Sequence, residues 1–425
     1  MPARAATSHP LALAVTTAVF FLWGFLTGLN DVLIPHLKAV FELNYARSML
    51  IQFTFFGAYF VMSLPAGRVV ARLGYRHGMV AGLIVAGLGA LAFLPAAQLQ
   101  SYALFLGALF VLASGITLLQ VAANPYVSLL GDEAGASSRL TLAQALNSLG
   151  HTLAPAFGGL LILSVAVLGA DAFAQLSTEQ QIHYRADQAA AVQLPYLGLG
   201  LTLFALALFV YLFRLPRLGE TTERDLAAAP GYAATLAHRP LRLAIIGIFV
   251  YVGAEVSIGS FLINYLSRPE IGAMSEAAAA NYVSYYWGGA MLGRFGGSLL
   301  LRVFAPAQLL MLFAAIAASL LLTSTLSSGQ LALWSIVAVG LFNSILFPTL
   351  FTLGIQGLGP LTARGSSLLV MAIVGGAVVP LLQGLLADRI GLQPAFVLPL
   401  ACYAYIVWYG WQHGRSAAAA RAVQA

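Results

Sequence analysis

Apolar residues in this chain come in long runs separated by short polar segments. Runs of roughly 18 to 28 residues begin near residues 11, 48, 77, 101, 139, 194, 241, 279, 305, 330, 366 and 391. Each is long enough to cross about 30 Å of hydrocarbon as a helix, so the pattern predicts twelve membrane-spanning helices. The long polar interruptions are two, a loop from Asp171 to Asp187 and the stretch RLGETTERDLAAAPGYAATLAHRP at residues 217–240. The second divides the spans six and six, and predicts a bundle over residues 1–216, a cytoplasmic linker over 217–240 and a second bundle over 241–425.

Composition agrees with that pattern. Of the 425 residues, 60% are hydrophobic and 8% charged, where a soluble domain carries about 25% charged residues. One soluble core cannot absorb so much apolar surface, which makes this a polytopic membrane protein. The single cysteine, Cys402, excludes an internal disulfide and a Cys-rich metal or redox site.

A net charge of +6 would suggest nucleic acid in a soluble protein, but the placement of the charges explains it. With a cytoplasmic N-terminus, Arg4, Arg68, Arg72, Arg76, Arg139 and Arg214 fall inside together with Arg217, Arg224, Arg239, Arg242, Arg294, Arg302, Arg364, Arg415 and Arg421. Only Lys38, Arg47, Arg185, Arg268 and Arg389 fall outside. That split follows the positive-inside rule with both termini cytoplasmic, and no nucleic-acid partner is expected. Arg4 followed by an apolar run also has the outline of a signal peptide. The length of the run, its lack of a small-residue cleavage site and the polar TGLND stretch at its end favour a first span instead.

The two halves repeat. Arg139, Gly150, Pro155, Gly159, Leu160 and Leu161 recur as Arg364, Gly375, Pro380, Gly384, Leu385 and Leu386, all at an offset of 225. Pro125 and Gly131 recur as Pro348 and Gly354, and Gly67 and Arg72 as Gly297 and Arg302. Two parallel six-helix repeats make an all-α membrane protein of two pseudo-symmetric six-helix bundles, the major facilitator fold, with a substrate site expected between the halves near the midplane. Secondary transport follows from that architecture. GRVVARLGYRHG at 67–78 lies between spans two and three, where this superfamily has a Gly-rich basic motif. Gly67, Arg72, Gly74 and Arg76 fit, but Ala71 stands where the motif has its acid, and the arginines equally serve to hold the loop in the cytoplasm.

Of the fourteen acids, twelve fall in loops or at span ends; Asp31 and Glu255 do not. An acid at the centre of a span costs roughly 2.5 to 3.5 kcal/mol on insertion scales, so each marks a functional site. Pro35 cannot donate to the carbonyl of Asp31, which would set a free carbonyl beside a carboxylate, a pairing suited to a cation or a proton. If span one stops at Pro35, Asp31 lies instead near the outer surface. Arg294 is within range as a partner for Glu255, although an anchor at the cytoplasmic end of span eight is the favoured role.

The other polar groups inside the spans are mostly amides and rings. Trp23, Thr27 and Asn30 share a face of span one, Gln120 and Asn124 a face of span four, and Gln144 and Asn147 a face of span five. Gln52, Asn264, Asn343, Gln356 and Gln383 add to them. An amide offers both donors and an acceptor, which suits a neutral polyol, while an aromatic face such as that of Trp23 or Trp287 suits a sugar ring. Any one amide is more readily interhelical glue; the set together favours a polar substrate cavity. No catalytic cluster lies within the spans, His36, His151 and His238 being isolated, so an enzyme is not expected.

FFLWGFLTGLNDVLIPHL, IQFTFFGAYFVMSLPAG, QVAANPYVSLLG, LAQALNSLG, YVGAEVSIGSFLINYL, YYWGGAMLGRFGGS and LFPTLFTLGIQGLG together resemble the fucose:proton symporter family of major facilitators. GAEVSIGS and GGAVVPLLQGLLAD are most similar to its glucose/galactose transporter branch. The resemblance implies that Asp31 is a coupling residue and that Gln144 and Asn147 bind sugar. The family's second functional acid falls on Gln120, where the match fails, while Glu255 stands where those symporters have a glutamine. Cation coupling through Asp31 and Glu255, by H⁺ or Na⁺, is therefore expected, with Trp23, Asn30, Gln120, Asn124, Gln144 and Asn147 as sugar contacts. The expectation is a monomeric symporter of glucose or galactose in the bacterial inner membrane, in contact with lipid and without cofactor or metal. A fucose or N-acetylglucosamine symporter, or a drug exporter, is the alternative.

Overall fold

The computed structural model describes residues 10–41, 45–162, 168, 170–216, 218 and 231–424, without the side chains of 30–41, 45–49, 158–162, 170–171, 189–190, 192, 276–277 and 416–424. Helix α1 runs Pro10–Phe41. A continuous stretch, Tyr45–Gln98, is divided at Gly74 into α2 (45–73) and α3 (75–98). Then follow α4 Tyr102–Leu129, α5 Ala136–Ile162 and α6 Thr178–Leu212. In the second half α7 is Arg239–Leu266, α8 Glu276–Leu300 and α9 Pro306–Leu326. Helix α10 is broken into Gly329–Asn343 and Leu346–Ile355. The α11 rod passes from Gly359–Leu361 through Thr362–Met371 and Ala372–Val374 to Gly375–Ile390, and α12 is Val397–Gln424.

Among the described residues nine stretches are long and apolar enough to cross a membrane, and one of them, Leu50–Gln98, holds both α2 and α3. The more polar α5 and α8 complete the twelve expected spans. Two boundaries differ from the reading of the apolar runs. Helix α1 continues through Pro35 to Phe41, so the helix does not end at that proline. Helix α6 begins at Thr178, well inside the segment expected to be a loop, and a further short helix covers Ala170–Ala174. The cause is local: Ser177 Oγ accepts from the Gln180 amide at 3.3 Å and Gln180 Oε1 accepts from the Ser177 amide at 2.9 Å, a capping box that starts the helix in polar sequence.

Gly74 has φ 77°, a left-handed conformation that costs a non-glycine residue about 1–2 kcal/mol, and it makes the α2–α3 turn possible. Contacts divide the chain into two compact units, one of residues 14–123 and 146–220, the other of 1–13, 124–145 and 221–425. The sequence repeat has a packing counterpart in each. A Cβ on Gly150 would stand 2.1 Å from the carbonyl oxygen of Phe21, and one on Gly375 would stand 2.0 Å from that of Phe249. The repeated glycines thus let α5 press on α1 in one unit and α11 on α7 in the other, as small residues do at close helix crossings.

Candidate functional site

In the second unit a buried polar network surrounds Glu255. Helix α7 carries Glu255, only 9% exposed, with Tyr251 one turn earlier on the same side. Pro348 explains what faces them. It has no N–H for the carbonyl of Ser344 and its ring crowds that carbonyl, so α10 breaks between Asn343 and Leu346. The freed carbonyls find side-chain donors: Tyr251 Oη donates to the Asn343 carbonyl at 2.9 Å, and Arg294 Nε donates to the Ser344 carbonyl at 3.4 Å. Arg294 Nη2 also lies 3.8 Å from Glu255 Oε1.

This placement corrects the favoured role of Arg294 as an anchor at the end of span eight. Its guanidinium is turned into the bundle against the acid, and its side chain is 15% exposed against 11% for Glu255. Gly293 permits the approach, since a Cβ there would stand 2.4 Å from the Leu341 carbonyl oxygen. Removing one partner of such a buried pair typically costs about 3–5 kcal/mol, because the other charge is left uncompensated. Beyond the pair, Asn343 Nδ2 donates to Tyr286 Oη at 2.8 Å, and Asn343 Oδ1 accepts from Tyr403 Oη at 2.7 Å. Tyr286 Oη in turn donates to the Glu255 carbonyl at 3.3 Å.

The tyrosines and the helix break were not picked out by the sequence reading, which took Asn343 only as one amide among several. The signal was present in LFNSILFP, where a proline four residues after Ser344 follows an Asn-Ser pair. Buried phenols at the core of an apolar bundle need hydroxyl partners, and an amide inside a span is a ready one.

The amides expected to contact sugar separate into local pairs. In the first unit Gln120 Nε2 donates to Tyr59 Oη at 2.7 Å, and Asn147 Nδ2 donates to the Phe20 carbonyl at 2.9 Å. Trp23 lies 5.3 Å from the Phe20 ring and lines a largely apolar pocket with Leu26, Thr27, Ile116 and Tyr196. In the second unit Gln144 Nε2 donates to Asn124 Oδ1 at 3.4 Å, while Asn124 Nδ2 is buried without a partner among the described residues. Asn30 and Asp31 lie on α1, and their side chains fall outside the described residues.

The turn motif has a structural role for one arginine. Arg76 donates to the Tyr211 carbonyl, reaches the Val210 carbonyl at 3.4 Å and lies 5.7 Å from the Tyr211 ring. A cation on the last carbonyls of α6 complements the negative end of that helix. Gly67 lies within α2, Gly74 makes the turn, and Arg72 is exposed. Arg139, one of the repeat residues, caps α4 similarly, donating to the Ser128 carbonyl at 2.7 Å and pairing with Asp132 Oδ1 at 3.1 Å.

The twelve long helices among the described residues and the internal repeat of the sequence point to a major facilitator, and residues 15–372 match the Major Facilitator Superfamily; the chain belongs to that family. It is 52% identical over 403 residues to the glucose/galactose transporter of Brucella abortus biovar 1 (strain 9-941), covering 95% of this chain and 94% of that protein. It is 37% identical to the L-fucose-proton symporter of Escherichia coli (strain K12), covering 94% and 92% respectively. A crystal structure of the Escherichia coli fucose:proton symporter superposes with a TM-score of 0.89 at 35% identity, covering 96% of this chain and 99% of that one. The chain is a multi-pass membrane transporter and not an enzyme.

Proposed function

We propose that the protein takes up a neutral monosaccharide, glucose or galactose first, by symport with H⁺ or Na⁺ through alternating access. The observation that carries this reading is the 52% identity over 95% of the chain to a protein named a glucose/galactose transporter. Chemistry supports it: Gln120, Asn124, Gln144 and Asn147 supply donors and acceptors inside the spans, as a polyol requires. Trp23, Asn30 and these amides are the proposed sugar contacts, and Asp31 the prime coupling acid. Glu255 has a weaker claim to bind the transported ion, because Arg294 already balances its charge.

The distribution of basic residues supports cytoplasmic termini in a bacterial inner-membrane protein surrounded by lipid, and the proposed transporter is a monomer. Gly67, Arg72, Gly74 and Arg76 form the proposed loop motif of the cytoplasmic side. Uptake of labelled glucose into proteoliposomes, in competition with galactose, fucose and N-acetylglucosamine, tests the substrate. Glucose and galactose are expected to compete most strongly. Stronger competition by fucose, or drug transport without sugar uptake, would overturn the assignment.

A further inference from the structure

A buried acid next to the carbonyls of a broken helix is the ligand chemistry that secondary transporters use for Na⁺ or H⁺. Here the second unit has both parts, Glu255 and the Asn343–Ser344 break, but a guanidinium already bridges them. Arg294 Nη2 lies 3.8 Å from Glu255 Oε1 while its Nε donates to the Ser344 carbonyl at 3.4 Å. We propose that Arg294 is a tethered cation, occupying between Glu255 and the carbonyl freed by Pro348 the place of a coupling ion, so that the transported ion loads at another acid.

Three observations carry this. Arginine stays charged at any working pH, so its tether cannot be released by deprotonation. The groups around Glu255 among the described residues offer no second balancing charge: α8 contributes Arg294 and Tyr286, α12 contributes Tyr403, α7 itself contributes Tyr251, and the break in α10 presents neutral Asn343 and Ser344. Protonating Glu255, or setting another cation beside it, would leave an uncompensated positive charge in a dry interior. The third is geometric. Because the same guanidinium holds the break in α10, pairing with Glu255 fixes the register of the two half-helices, which makes Arg294 a positioning residue rather than a ligand for sugar.

The inference rests on the symport reading above, and its test separates the two. Wild type, Glu255→Gln, Arg294→Gln and the double variant Glu255→Gln/Arg294→Gln are reconstituted into liposomes. Labelled glucose is followed in counterflow and under imposed H⁺ or Na⁺ gradients, and thermal unfolding of the four proteins is compared in detergent. A tethered cation predicts that each single variant loses about tenfold or more of counterflow and of gradient-driven uptake alike. The double variant is expected to recover to within about threefold of wild type, with an unchanged ion-to-sugar ratio.

A Glu255→Gln protein that keeps counterflow but answers to neither gradient would place the ion on Glu255 and overturn the inference. So would a double variant that is no more active than Glu255→Gln, or one that unfolds before either single variant, since the two charges would then not compensate each other. A wild type without glucose counterflow contradicts the sugar assignment alone, because the unfolding comparison still reads the pair.

Discussion

Asn343 Nδ2 donates to Tyr286 and Asn343 Oδ1 accepts from Tyr403, so removing this one amide takes the acceptor from the buried Tyr403 hydroxyl and leaves Tyr286 only the Glu255 carbonyl. A buried polar group left unsatisfied costs about 1–3 kcal/mol. Asn343→Leu is therefore expected to lower the unfolding temperature in detergent clearly, whereas Gln356→Leu, at an exposed position, is expected to leave it nearly unchanged. Similar effects from the two substitutions would mean that the network contributes little. At this scale the sequence marked Glu255 from the rarity of an acid within a span. Its partner was not legible, because the arginine lies 39 positions away and near a predicted cytoplasmic end. Which way a guanidinium turns is decided by packing, and here Gly293 lets α8 lie close against α10, where Arg294 reaches the Ser344 carbonyl.

The helices turn on a few backbone facts. Pro348→Ala restores an N–H that can bond the Ser344 carbonyl, drawing α10 toward a continuous helix and releasing Arg294 from it. The expected result is a fall in transport rate of about tenfold, ~1.4 kcal/mol in barrier, with little change in half-saturating sugar. An unchanged initial rate would show that the break is incidental. Gly375→Val would drive a side chain into the Phe249 carbonyl and is expected to cost at least about 1–3 kcal/mol. Gly198→Ala, with nothing within 4 Å, serves as its control. Equal thermal stability of the two proteins would contradict the close α7–α11 crossing. Twelve spans, the Gly74 turn and the repeated glycines were legible because apolar length and residue type carry them. The start of α6 was missed because capping by Ser177 and Gln180 lets a helix begin in polar sequence, where hydropathy gives no signal.

At the scale of the whole molecule, the proposed symport needs an acid that couples and amides that bind. The repeat and the positive-inside bias made a two-bundle transporter legible from sequence, since both follow from how chains insert and duplicate rather than from fine packing. The proposed sugar contacts rest on residue type, and their pairing was not legible: Gln120 is joined to Tyr59 and Asn124 to Gln144, contacts that no spacing along the chain predicts. The most direct measurement is labelled glucose uptake by wild type and Asp31→Asn in proteoliposomes with an imposed H⁺ or Na⁺ gradient, alongside counterflow without one. The account predicts that wild type accumulates glucose against its gradient with one of the two ions, and that Asp31→Asn exchanges glucose but no longer accumulates it. Full accumulation by Asp31→Asn, or none by wild type with either ion, would contradict it.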